Sequence, residues 1–370
     1  MNDELLALQD AFDSVLEASL PITQLLEGAA HDRPLALDAR SALIEMGFHA
    51  IALDEADDGF GRRPDWIAAL MEVAGRRLLP PVLRDEALLL APLLAECSRR
   101  DNPDAAEWLN LLSAGEIAGS VRGVVAGTDL QRIEATKSEF SCSDLPIFVP
   151  PDPAVVGVLT PEGGWLFDAA DPRLHLDPVH GIEAGNGAAR LTIDPGPVAA
   201  ARQIGGDTAI VLLRTWQLGL IAEAVGCADH ITNESVIYAQ DRDQFGQPIA
   251  VFQAVAHLLA DMKQRTELGR SVLARLVSLM DHGAINDVDD LLIGARLWVP
   301  SATREVVEIG IQVHGGMGFT WEVGLHLWYR RALHIQALLG GEVGAASSSG
   351  DHFIRRAREM ADASEGSHDA

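Results

Sequence analysis

Two short stretches carry residues whose types and spacing could do chemistry. "DRDQFGQPIAVFQ", from Asp241 to Gln253, sets Arg242, Gln244, Phe245, Gly246, Pro248 and Ile249 between two segments of helical period. "QVHGGMGFTW", from Gln312 to Trp321, places Gln312 one turn before Gly315 and Gly316. A guanidinium is a strong hydrogen-bond donor to phosphate oxygens. An aromatic ring beside it offers a flat apolar surface. Glycines lack a Cβ, so their backbone can come close to a ligand. Together the stretches set a strong donor, a flat apolar surface and close backbone approach at two breaks between helices. Taken singly, each also reads as plain structure. Gly246–Gln247–Pro248 would be a turn, and Gly315–Gly316 a helix end.

These residues need elements to hold them. Residues 1–115 read as helical: Leu5, Leu8, Phe12 and Leu16 recur at three-to-four spacing, and a further helix starts at Asp38 and stops at Gly47. Another is entered near Pro64 and Asp65. Residues 116–203 break into short runs rich in Val, Ile and Phe, such as "LPIFVP" and "AVVGVLT", divided by Gly, Pro and Asp, which predicts a small β domain. From 204 to 360 the helical period returns in four long segments with wide apolar faces, the third carrying Pro300, where a bend is expected. Such helices need each other, and a four-helix bundle follows. Residues 361–370, ending "DASEGSHDA", read as a disordered tail. The class is α+β: helical region, small β domain, helical bundle.

The 370 residues carry a formal net charge of −26, with 48% hydrophobic and 22% charged residues. Clustered Lys and Arg are what a nucleic-acid binder needs, and there are only two lysines, Lys137 and Lys263. The same balance argues against an anionic membrane surface. The longest nearly apolar run, Ala87 to Ala95, is about half of what a spanning helix requires and contains Pro92. The start, "MNDELLALQDAF", is acidic and amphipathic and does not read as a signal peptide. Cys97, Cys142 and Cys227 are far apart and form no CxxC pair, so no metal site is expected and reduced, cytoplasmic thiols are.

The order of these regions, with the two stretches above, resembles the acyl-CoA dehydrogenase family. "DRDQFGQPIAVFQAVAHLLADM" is similar to the family's Arg-x-Gln-Phe-Gly-x-Pro-Ile segment and its following helix. "QVHGGMGFTWEVGLHLWYRRA" is similar to its Gln-x-x-Gly-Gly-x-Gly-Phe segment. The resemblance implies FAD as cofactor and an acyl-CoA as substrate. In the family these segments reach across a dimer interface to the FAD held mainly by the neighbouring subunit. Carried over, Arg242 faces the pyrophosphate and Phe245 the adenine. Gln244, Ile249, Gln253, Gln312, Gly315 and Gly316 complete the contact.

Other parts of the pattern are missing. The family's base is a Glu that takes the α proton while the β hydride goes to flavin. One placement, about seventeen residues after the Glu matched by Glu322, falls on Leu339 in "ALLGG". The other, early in the first long bundle helix, falls on Trp216 in "LLRTWQLGL". Neither side chain can take a proton, so no catalytic residue is assigned. Glu223 lies too far along its helix, and Glu322 fits a helix start. Glu342 becomes a base only with a three-residue insertion. The middle region reads "GSVRGVVAGTDL" where the family has its own flavin-covering stretch, and Arg331 stands where the family usually has Asp.

The pattern resembles one half of a heteromeric acyl-CoA dehydrogenase of the steroid-degrading type. There a second subunit with the catalytic Glu completes an α2β2 tetramer with FAD at each heterodimer interface. A bulky CoA thioester, such as a steroid side chain, and an electron-transferring flavoprotein as acceptor follow from the resemblance alone. Two alternatives stand beside it. One is a complete homo-oligomeric flavoenzyme using Glu342. The other is an interaction protein that kept the bundle and binds no flavin.

Overall fold

The computed structural model describes residues 3–31, 36–136, 138–183 and 187–366. The N-terminal region is helical: α1 (Asp3–Ser19), α2 (Ile22–His31), α3 (Ala36–Glu45), α4 (Pro64–Arg77), α5 (Pro81–Asp85), α6 (Ala91–Ser98) and α7 (Pro103–Ser113). Phe12 and Leu16 on the α1 stripe are fully buried, and Phe12 stacks on Phe48. Proline opens α4, α5 and α7, where its missing N–H is no loss. Asn102 caps α7 by accepting from the backbone N–H of Ala105 at 3.2 Å. Between α5 and α6, Glu86–Leu90 form one π-helical turn. Such turns interrupt helices chiefly where side chains must be re-aimed, and Arg84, Asp85 and Glu86 point inward here.

Eight strands follow: β1 (Ala118–Gly123), β2 (Ile133–Ala135), β3 (Glu139–Phe148), β4 (Pro153–Thr160), β5 (Gly163–Asp168), β6 (Leu174–Val179), β7 (Ala188–Pro197) and β8 (Gln203–Gly205). One sheet has the order β1-β4-β5-β8 and the other β2-β3-β7-β6. All pairs are antiparallel except β1 with β4. Alternating residues of both sheets share a core of their own, in which Phe140 contacts the rings of Trp165 and Phe167.

The C-terminal region comprises α8 (Gly206–Asp241), a two-residue-turn hairpin of β9 (Asp243–Gln244) and β10 (Gln247–Pro248), then α9 (Gln253–Asp281), α10 (Ile285–His314), α11 (Leu325–Leu338) and α12 (Gly341–Gly366). By length and composition α8 could cross a membrane, yet 83% of its most apolar window is buried inside the protein. It is the central core helix, covered by α4, α9 and α10. Gly75 and Gly226 bring α4 and α8 into backbone contact. A Cβ on Gly226 would lie 2.0 Å from the Glu72 carbonyl oxygen, and one on Gly75 2.0 Å from that of Glu223.

α10 runs from Ile285 to His314 as one helix with Pro300 inside it, at the cost of one backbone hydrogen bond. One expectation needs correction. The tail expected from residue 361 is helical through Gly366; residues 367–370 lie outside the described residues. α7 ends at Ser113 and β1 begins at Ala118, and β8 ends at Gly205. The bundle has a fifth helix, α12, beyond the four expected.

Candidate functional site

The two stretches meet at one end of the bundle. α8 ends there, α9 begins there, and α10 ends there. Tyr238 of α8 stacks on His314 of α10 with ring centroids 4.2 Å apart, and the Tyr238 hydroxyl donates to the His314 carbonyl at 3.3 Å. The hairpin pairs Gln244 with Gln247 and Asp243 with Pro248, and the Ile249 N–H closes it on the Arg242 carbonyl at 2.8 Å.

Its two turn residues, Phe245 (φ 54°) and Gly246 (φ 81°), are both left-handed, the backbone of a type I′ turn. Glycine accepts this freely. Phenylalanine does not: a side chain in that region costs about 1–2 kcal/mol. Phe245 is 93% exposed, with its ring edge-on to that of Phe252. The chain thus accepts strain to hold an aromatic ring in solvent.

Arg242, Gln244, Gln253 and Gln312 are exposed, and Ile249 is half-buried beneath the hairpin. Among the described residues Arg242 has no side-chain partner. Gly315 caps α10 with φ 60° and ψ −133°, a conformation open to glycine. A Cβ on Gly315 or Gly316 would meet nothing within 4 Å. Internal packing therefore does not require Gly316, and the space beside both glycines is open to a ligand. Phe319 at 80% exposure, with Met317 and Trp321, continues the apolar surface.

The positions matched to a base are closed. Trp216 and Leu339 are buried at 1% and 0% exposure. The Trp216 indole N–H donates to Asp85 at 2.8 Å, and its ring lies against β1, where a Cβ on Gly123 would sit 3.0 Å from it. The Arg296 guanidinium ties the Leu339 carbonyl (3.0 Å) to the Ala126 carbonyl (2.6 Å). Beside it the backbone of Gly127 abuts Gly344, whose Cβ position is 2.1 Å from the Gly127 carbonyl oxygen. Glu342 faces outward, paired with Arg304 at 3.0 Å. Glu322 is exposed, and hydrogen bonds from its own backbone N–H and the Thr320 hydroxyl hold its carboxyl below the usual range.

A buried ionic chain lies behind Trp216, and the sequence reading missed it. Arg84 takes both Asp85 oxygens at 2.9 and 3.1 Å and donates to Glu223 at 2.8 Å. Glu223 also accepts from Arg331, which takes Glu183 at 2.7 and 3.2 Å and donates to the Leu79 carbonyl at 2.8 Å. Burial alone would lower the Arg331 pKa, but Glu183 and Glu223 outweigh it and raise it. The triplet Arg84-Asp85-Glu86 at the head of an apolar run was the available signal. Glu86 is occupied too, accepting from Arg40 at 3.0 Å and the Gly119 N–H at 2.8 Å.

Burial pushes the Cys97 and Cys142 thiols up to about 12 and Cys227 well above its usual range, which leaves them inert. No group of metal-binding side chains occurs among the described residues.

A family model, "Acyl-CoA dehydrogenase, C-terminal domain", matches residues 205–342, the segment from α8 to the start of α12. The acyl-CoA dehydrogenase FadE34 of Mycobacterium tuberculosis is 28% identical over 81% of this chain. Residues 205–342 thus match an acyl-CoA dehydrogenase C-terminal domain, and most of the chain is similar to acyl-CoA dehydrogenases. The chain spans 40% of the length of FadE34. The Tcur3481–Tcur3483 steroid ACAD superposes with a TM-score of 0.81 at 23% identity, covering 96% of this chain and 99% of that one. The ChsE4–ChsE5 complex from M. tuberculosis gives 0.81 at 21%, covering 96% and 98%. These likenesses carry the fold: helical region, β domain and bundle are those of an acyl-CoA dehydrogenase, at identities too low to carry more.

Proposed function

We propose that this chain is a non-catalytic partner subunit of an FAD-dependent acyl-CoA dehydrogenase. The observation that carries the reading is a contrast within one bundle. The hairpin and glycine turn are open and strained outward, while the base positions are filled by Trp216 and Leu339 and closed by hydrogen bonds. The chain supplies Arg242, Phe245, Gln312 and Gly316 to a flavin held mainly by a second subunit that carries the catalytic Glu, in an α2β2 assembly. FAD, when bound, supplies the hydride acceptor for α,β-dehydrogenation of a CoA thioester. The family relation and the named neighbours favour a bulky acyl group such as a steroid side chain. A cytoplasmic setting and an electron-transferring flavoprotein as acceptor complete the reading.

Each residue of this chain has a defined task. The Arg242 guanidinium donates to pyrophosphate oxygens, and the Phe245 face takes the adenine. Gln312, Gln244 and Gln253 offer amide hydrogen bonds at the rim. Gly315 and Gly316 let the α10 terminus approach without a Cβ, and Ile249 packs beneath the hairpin. A charged hydrogen bond of this kind contributes about 1.5–3 kcal/mol, roughly ten- to a hundredfold in affinity.

The test is the flavin content of the chain purified alone and then with its dehydrogenase partner. The expected result is no flavin alone and one FAD per heterodimer together. Arg242→Ala should then weaken FAD retention roughly ten- to a hundredfold. A full complement of FAD on the chain alone, or retention unchanged by Arg242→Ala, overturns the reading.

A further inference from the structure

A cavity of about 400 Å³ opens where the α1–α2 corner meets α4, α8 and the α10–α11 connection, a volume within the range of small-molecule sites. His230, Glu234 and Tyr238 recur at four-residue spacing on α8 and so share one face. His230 stacks on Trp328 of α11 with ring centroids 4.3 Å apart. The Trp328 indole N–H is taken by the Gly75 carbonyl at 3.2 Å, so this floor is flat and apolar. Leu20, Leu25, Val323 and Leu325 continue it as walls.

Two turns further along α8 the lining becomes polar. His314, at the end of α10, is 5% exposed and lines the cavity. Its Nδ1 meets the Gly310 carbonyl at 2.8 Å and so carries the proton. Burial lowers its pKa, which keeps the ring neutral. Nε2 is left as an acceptor without a partner among the described residues, and an acceptor so placed calls for a donor in the cavity.

Two exposed carboxylates stand at the same mouth, Glu234 and Glu322, and neither has a cationic partner among the described residues. Glu234 is near enough to act on the His314 charge. The cations of the lining are engaged: Arg77 by Asp13 at 2.6 Å and Glu17 at 3.2 Å, and Arg76 by Asp229 at 3.4 Å. Acceptors and negative charge are therefore in excess at the rim of an apolar interior. An occupant that answers both is a donor cation on a hydrocarbon body, its head at the open rim, where a charge keeps much of its hydration, and its tail within.

We propose that this cavity is a binding site for an apolar primary amine, its ammonium group received by His314 Nε2 and the Glu234 and Glu322 carboxylates and its hydrocarbon part by the α1–α2 corner and α11. The site lies in this subunit itself and does not depend on the shared flavin.

Calorimetric titration of the full chain, alone or in its flavin complex, with octylamine, octanol, octanoate and FAD at neutral pH tests it. Octylamine should bind one per chain and roughly tenfold tighter than octanol, the gain of a charge-assisted hydrogen bond over a neutral one. Octanoate should not bind. Ile22→Trp, at a mouth position that is 40% exposed on α2, should abolish octylamine binding. Glu234→Gln, on the exposed side of α8, should leave the melting temperature unchanged and erase the preference for octylamine over octanol. Absence of octylamine binding, equal affinity for octanol, tighter binding of octanoate, a preference that survives Glu234→Gln, or binding untouched by Ile22→Trp overturns the proposal. So does one-for-one displacement of octylamine by FAD, which would assign the cavity to flavin. Failure of the shared-flavin reading would show instead in the FAD-to-protein ratio, which Ile22→Trp and Glu234→Gln should leave unchanged.

Discussion

Glu223→Gln is the sharpest test of how the core is held together. Glu223 is fully buried and shared by two guanidinium groups, Arg84 at 2.8 Å on one oxygen and Arg331 on the other, and both are themselves buried. Glutamine fills the same volume but keeps one acceptor. Its NH2 group must face one of the two guanidinium groups, donor against donor. Arg84 keeps Asp85, and Arg331 keeps Glu183 and the Leu79 carbonyl, so neither is stranded. Breaking one member of a buried charged pair costs about 3–5 kcal/mol. An unfolding entropy of roughly 2.1 cal/mol/K per residue gives about 0.8 kcal/mol/K for a chain of 370 residues. The melting temperature should therefore fall by about 4–6 °C. Glu342→Gln is the matched control: its pair with Arg304 is half-exposed and contributes about 0–1 kcal/mol. Differential scanning calorimetry of the two variants decides the matter. A Glu223→Gln melting temperature within about 1 °C of wild type would refute the pairing as a source of stability.

Four further outcomes are expected. Glu342→Gln should leave turnover of the flavin complex unchanged; a large loss would make Glu342 a base. Burial first, then the Arg77 charge, holds His230 at about 4 against its ordinary 6.5, stacked on Trp328. Stability is therefore full above pH 6.5 and is lost as pH falls through about 4. Unfolding free energies from urea titrations at pH 7.5 and 5.5 should differ by about 1.4 kcal/mol more in wild type than in His230→Phe. Gly226→Ala, forced against the Glu72 carbonyl, should destabilise by about 3 kcal/mol, whereas Gly316→Ala should leave the melting temperature alone and lower FAD retention. Phe245→Asn suits the type I′ turn and should raise stability by about 1 kcal/mol while weakening FAD binding in the complex; a gain in stability with retention unchanged would reduce the hairpin to a turn.

How far the sequence was legible follows from the range of the interactions. The hairpin and glycine turn declared themselves because their chemistry is local: Arg242 to Gly246 are consecutive, and Gln312 lies one turn from Gly316. The three regions were legible because apolar period is local too. The ionic chain was not, since its partners stand 139, 108 and 148 residues apart, and no window of sequence pairs Arg84 with Glu223 or Arg331 with Glu183. That Trp216 and Leu339 cannot take a proton follows from their side-chain chemistry alone. What they do instead needed the fold: the Trp216 indole is bonded to Asp85, 131 residues away, and the Leu339 carbonyl to Arg296.

The same distinction separates the two ends of the bundle. The Trp216 indole, the Glu223 carboxylate and the Leu339 carbonyl all find partners within the chain, the mark of residues that serve its own stability. At the hairpin a guanidinium has no side-chain partner among the described residues, and an aromatic ring is held outward at a cost in backbone strain. A monomer gains nothing from either. Strain left uncompensated inside one chain is what the proposed flavin contact would offset. The residue types at that end, a phosphate donor beside a flat ring and two glycines, describe what that contact must present.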